Sequence, residues 1–105
     1  MIGFTLSEEQ EALRARVREF AEKEIKPKAR EYDENGTYPM DVMKRAFEQQ
    51  IMNDSIPKAY GGPGYTNLEA AVITEELGAA CMGMGTSIMA NSLAIAPIIL
   101  FGNDA

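Results

Sequence analysis

Thr86 to Phe101 reads T-S-I-M-A-N-S-L-A-I-A-P-I-I-L-F, and the wider run from Leu77 to Asn103 carries no charged side chain. A helix that is apolar on nearly every face has to be covered, either by other protein or by lipid. Which of the two covers it decides the fold, and the remainder of the chain is read as the candidate cover.

Length alone permits the lipid reading, since about 20 mostly apolar residues span a bilayer. Composition argues against a membrane span. Gly78, Gly83, Gly85 and Gly102 interrupt the run, while Thr86, Ser87, Asn91 and Ser92 oppose insertion, and no Lys or Arg flanks either end as an anchor. The run is therefore expected to be a central helix in a helical bundle, with amphipathic neighbours wrapped over it.

A chain of 105 residues is one domain at most. Its net charge of −6 disfavours nucleic acid, whose phosphates need a basic surface. All ten Lys and Arg lie at or before Lys58, and only Glu69, Glu75, Glu76 and Asp104 carry charge after it. A solvated first half covering an apolar second half accounts for this. The single cysteine, Cys81, has no cysteine to pair with and no histidine for a zinc site or a catalytic dyad, which fits a reducing compartment. The M-I-G-F-T-L start resembles neither a signal peptide nor an Arg-rich transit peptide. The expected location is cytoplasmic, or the mitochondrial matrix after processing.

Ser7-Glu8-Glu9-Gln10 forms a capping box. Leu13, Val17, Phe20, Ala21, Ile25, Ala29 and Tyr32 follow at spacings of three and four and predict one long helix, kinked between Lys23 and Pro27 and closed at Asp33-Glu34-Asn35-Gly36. Tyr38-Pro39 opens a second helix with proline at its first position and a stripe of Val42, Met43, Ala46, Phe47 and Ile51. Residues 53–65 are too rich in glycine and proline for a helix. A third helix starts from Thr66 or Asn67 and uses Leu68, Ala71, Val72, Ile73, Leu77 and Ala79, ending around Gly78 to Gly85. The fourth holds Pro97, which predicts a kink or new cap near Leu93. No segment alternates with period two, so the expected fold is all-α, a four-helix bundle-like domain.

Gly61-Gly62-Pro63-Gly64 lacks the Gly-Lys-Ser/Thr of a phosphate loop and the third glycine of a dinucleotide fingerprint, and reads as a tight connection. Glu75 and Glu76 point about 100° apart on a helix, so they make no acid–base dyad; one solvated and one paired with a base is the expectation. Gly85, Met89 and Leu93 recur at i, i+4 and i+8, with a gap at the glycine and an adaptable filler at the methionine. Core packing is the default for such a face, and the wall of an apolar ligand channel is the alternative.

Several short motifs occur in an order that resembles the N-terminal helical domain of the acyl-CoA dehydrogenases. They are Phe20-Ala21-x-x-Glu24-Ile25-x-Pro27, Glu31-Tyr32-Asp33-x-x-Gly36-x-Tyr38-Pro39, Ile56-Pro57-x-x-Tyr60-Gly61-Gly62-x-Gly64, Glu75-Glu76-Leu77 and Asn91-Ser92-Leu93. Pro97-Ile98-Ile99 with Gly102-Asn103 is most similar to the medium-chain and short-chain branch. The resemblance implies an FAD enzyme that oxidises a fatty acyl-CoA to the trans-2-enoyl-CoA and passes electrons to an electron-transferring flavoprotein, usually as a homotetramer. It also implies that Gly85, Met89 and Leu93 line the acyl channel.

Two departures accompany it. Gln49-Gln50 stand where the family usually ends its second helix with leucine-glycine, and a non-glycine in a left-handed position there costs about 1 kcal/mol. The chain also reaches Ala105 before the family's helical domain is complete, so residues 1–105 are expected to be an incomplete N-terminal domain without the flavin-binding β-domain and the C-terminal helical domain. The resemblance therefore assigns no catalytic residue here and implies that this polypeptide alone is inactive. A competing reading is a stand-alone helical binding or assembly module without redox activity.

Overall fold

The computed structural model describes residues 2–105. Six α-helices occur among the described residues: α1 (Glu8–Phe20), α2 (Ala29–Asn35), α3 (Met40–Glu48), α4 (Asn67–Ala80), α5 (Met82–Met89) and α6 (Asn91–Phe101). No strand occurs among the described residues. The four expected helices are all present, and two of them are divided.

The first helix divides because of Pro27. A π-turn over Ala21–Ile25 widens the helix, with Lys26 N–H donating to the Ala21 carbonyl over 2.9 Å. Proline has no N–H for a carbonyl one turn back, and the widened turn lets the chain pass that point and restart at α2. The capping box at its start is complete, with Ser7 Oγ accepting from Gln10 N–H and the Gln10 side chain accepting from Ser7 N–H. Gly36, at φ 63°, ends α2. Pro39 is the cap of α3 rather than its first helical residue.

Residues beyond α3 close it in a Schellman motif. Gln50 N–H donates to the Phe47 carbonyl and Ile51 N–H to the Ala46 carbonyl, while Gln50 holds φ 55° without the usual glycine. Ile51 then plugs the core completely. The connection to α4 makes a short 3₁₀ turn at Lys58–Tyr60 and folds back, with Gly64 N–H donating to the Ile56 carbonyl over 2.9 Å. A Cβ at Gly62 would lie 2.2 Å from the Ile56 carbonyl oxygen, so only glycine fits there. The tight-connection reading of this segment holds.

The core is built around α4. Ile73 and Leu77, one turn apart, are fully buried against Val17, Phe20 and Ile25 of the first helix and its π-turn, together with Val42 and Ala46 of α3 and Ile88 of α5. This corrects the expectation that the Thr86–Phe101 run is the buried centre. Of that run only Ile88 is buried, beside Met84 and Gly85 just before it, and α6 contributes no buried residue. The helices available are consumed in covering α4. Phe47 and Leu68, expected on apolar stripes, face solvent at 64% and 52% exposure.

The fourth helix breaks at Ala90, earlier than the kink expected near Leu93, and α6 runs through Pro97. Taken together Met82–Phe101 is long and apolar enough to cross a membrane by length and composition. Its α5 half packs on α4 within the core.

Candidate functional site

α4 carries the carboxylates singled out from the sequence. Thr66 caps it through a box with Glu69, and this registers Glu75 outward and Glu76 inward. Glu76, 8% exposed, accepts two hydrogen bonds from Arg18 at 2.9 and 2.8 Å, and the Arg14 Nε lies 3.8 Å away. The expectation of one solvated and one paired glutamate holds. A carboxylate held by two guanidiniums is a bolt between α1 and α4 and leaves no free base.

The three candidate channel residues occupy different surroundings. Gly85 is buried where α5 crosses α4, and a Cβ there would lie 3.4 Å from the backbone of Leu77 and Gly78. Its missing side chain thus sets a close helix–helix approach. Met89 is half-buried against the core, and Leu93, beyond the Ala90 break, is 81% exposed. The face runs from the core at Gly85 to open surface at Leu93.

Two open clefts flank this face. One, of about 310 Å³, is lined by Tyr32, Asp33, Tyr38, Cys81, Met84 and Ser87 among others, between the α2–α3 turn and α5. The other, of about 540 Å³, has Ile56, Pro57, Ile95, Ile98 and Ile99 as an apolar floor and Tyr60 on its rim. Gly85, Met89 and Leu93 line neither. No Lys or Arg lines either cleft, so neither offers the cations a flavin's phosphates take. No group of three His, Cys, Asp or Glu able to hold a metal occurs among the described residues.

Sequence reasoning missed the contacts that hold α6. Ser92 Oγ donates to the carboxylate of Asp54 over 2.8 Å, Asn91 Nδ2 donates to Asn53 Oδ1 over 3.3 Å, and Tyr60 donates its hydroxyl proton to Asp104 over 2.5 Å. Asp54 is 4% exposed. The partners lie 38 to 44 residues apart, beyond any helical period. The one available signal was an acidic residue inside a loop of Gly and Pro.

The helix order, the Pro27 π-turn and the Glu76 bolt describe an all-α domain, and comparison with known proteins gives its family. The family model for the acyl-CoA dehydrogenase N-terminal domain matches residues 7–105. The chain belongs to that family. It is 39% identical over 98% of its length to a probable medium-chain specific acyl-CoA dehydrogenase 2, mitochondrial, of Caenorhabditis briggsae, covering 25% of that protein. It is 38% identical over 93% of its length to a short-chain specific acyl-CoA dehydrogenase of Clostridium acetobutylicum, covering 26% of it. It also superimposes, with a TM-score of 0.91, 31% identity and 98% coverage, on 27% of a chain from structural work on the electron transferring flavoprotein of Acidaminococcus fermentans and flavin-based electron bifurcation. The chain thus spans about a quarter of the length of the curated relatives it matches. The resemblance read from the motifs, including the medium- and short-chain branch, agrees with these matches.

Proposed function

We propose that this domain forms one wall of the acyl site in an FAD-dependent dehydrogenase that oxidises a fatty acyl-CoA to the trans-2-enoyl-CoA. The observation that carries the reading, beside family membership, is the uncovered apolar helix α6, with Leu93, Ile98, Leu100 and Phe101 each more than two-thirds exposed. Such a surface suits an aliphatic chain or another domain, because removing it from water is favourable at about 25 cal/mol per Å². Met89 and Leu93 meet the acyl chain, and Gly85 acts one step back by fixing how closely α5 sits on α4.

In this reading the substrate loses a proton from its α carbon to a base and a hydride from its β carbon to the flavin. Both the base and the flavin belong to other parts of the complete protein, and electron-transferring flavoprotein takes up the electrons. The residues described here bind and shape; none moves a proton. The 105-residue polypeptide alone is accordingly inactive, and the complete protein assembles as a homo-oligomer, a tetramer by family habit.

The test is made on the protein encoded by the complete reading frame, assayed with acyl-CoAs of graded length. Met89→Trp shortens the preferred chain, because the indole fills space at the half-buried position. An unchanged preference removes Met89 from the wall. Absence of any acyl-CoA oxidation by a flavin-loaded protein overturns the reading in favour of a helical binding or assembly module.

A further inference from the structure

α6 contributes no buried residue and packs on little besides its neighbour α5, so the core does not determine where it lies. Its own N-terminus is weakly specified. The cap is Ala90, which has no side-chain acceptor, and Leu93 N–H reaches back to the Ala90 carbonyl over 3.1 Å in a tightened turn. Facing this turn stands Asp54, from the loop of residues 52–65. The residue is 4% exposed, its carboxylate accepts the Ser92 hydroxyl at 2.8 Å, and none of the ion pairs among the described residues includes it. A buried carboxylate is costly unless it is hydrogen-bonded, and it is best placed beside the positive end of a helix. The far end of α6 is tied to the same loop, through Tyr60 and Asp104. The loop itself is rooted in the core by Ile51 and carries the Tyr65 N–H to Asp54 carbonyl bond of 2.9 Å.

We propose that Asp54 and Ser92 are a positioning latch: the buried carboxylate of the 52–65 loop sets the direction in which α6 leaves the Ala90 break, so that loop and helix move as one unit. Under the proposed function, in which α6 forms part of the acyl wall, the latch sets the depth of that wall from a residue that does not touch the substrate.

The latch is tested first on the 105-residue chain by hydrogen–deuterium exchange, which needs neither flavin nor acyl-CoA. Asp54→Ala and Ser92→Ala speed exchange of the amides from Leu93 to Gly102 about ten-fold, as loss of a hydrogen bond to a charged group implies, and leave those of α1 and α4 unchanged. Asp54→Asn, which keeps an acceptor for Ser92, restores most of the protection. Unchanged exchange in α6, or a rise shared equally by α1 and α4, overturns the latch. Should Asp54→Ala fail to fold, Tyr60→Phe removes only the exposed distal tie; it speeds exchange near Ile98 to Gly102 and in Lys58–Tyr60 together, and an effect on one side alone overturns the single-unit description. In the complete enzyme Asp54→Ala broadens chain-length preference and Asp54→Asn restores it. No change there, with the exchange result as expected, counts against the acyl-wall reading and leaves the latch standing.

Discussion

Replacing Gln50 by glycine stabilises the domain. Gln50 sits at φ 55°, where the Cβ of an L-residue crowds its own carbonyl at a cost of about 1–2 kcal/mol. The side chain is exposed and makes no hydrogen bond among the described residues, so glycine forfeits no packing. The two bonds of the Schellman motif, from Gln50 N–H to Phe47 and from Ile51 N–H to Ala46, are backbone and survive. Against the relief stands the greater freedom of glycine in the unfolded chain, worth about 0.4–1 kcal/mol. The difference spans about 0–1.6 kcal/mol and centres on about 0.8 kcal/mol, a rise in Tm of about 3–6 °C for a domain of this size. Thermal and urea melts followed by circular dichroism at 222 nm measure it. Gln50→Ala is the control, because it keeps the Cβ and leaves Tm within about 1 °C. A Gln50→Gly protein no more stable than wild type, or an alanine variant equally stabilised, refutes the claim that the left-handed backbone is the source of the strain.

Ile73→Ala empties the fully buried centre of α4 and costs about 2–5 kcal/mol, read as a lower urea midpoint, whereas Leu68→Ala on the exposed side of the same helix costs under about 0.5 kcal/mol. Glu76→Gln weakens the bolt to Arg18 and Arg14 and lowers Tm, and Glu75→Gln, on the solvated face, does not; equal shifts would show that the buried pairing is immaterial. The Lys28 ammonium, 2.8 Å away, and the Tyr32 hydroxyl hold the Asp41 carboxyl down to about 2 from its ordinary 3.8. The folded value lies below the unfolded one, so Asp41 contributes its stability above about 3.8 and loses it as pH falls through about 2. Asp41→Asn therefore lowers Tm at pH 7 and flattens the acid limb in that window, and an acid limb of wild-type steepness removes the ion pair from the account.

Features that act within one helical turn are legible in the sequence. The Ser7–Gln10 capping box, the start of α4 at Thr66 or Asn67, the disruption at Pro27, the glycine that ends α2 and the division of labour between Glu75 and Glu76 follow from spacings of three and four and from the chemistry of single residues. The box between Thr66 and Glu69 emerged only in the structure. The strained Gln50 was legible as a missing glycine, against the family pattern. Less came through for the candidate site. Gly85 reads as a gap along its own helix, yet the backbone of α4 fills that gap. Met89 and Leu93 share a period with it but lie on either side of a break that Pro97 does not coincide with.

Local chemistry thus determined that the chain is helical, where most helices begin and end, and which motifs place it in its family, because caps, turns and periodicity depend on neighbours within a few residues. Tertiary structure alone decided that α4 rather than the apolar C-terminal run is the hub, and that Asp54 and Ser92 meet across 38 residues. Hydrophobicity states how strongly a helix seeks cover; only the packed arrangement of the other helices shows whether cover is there.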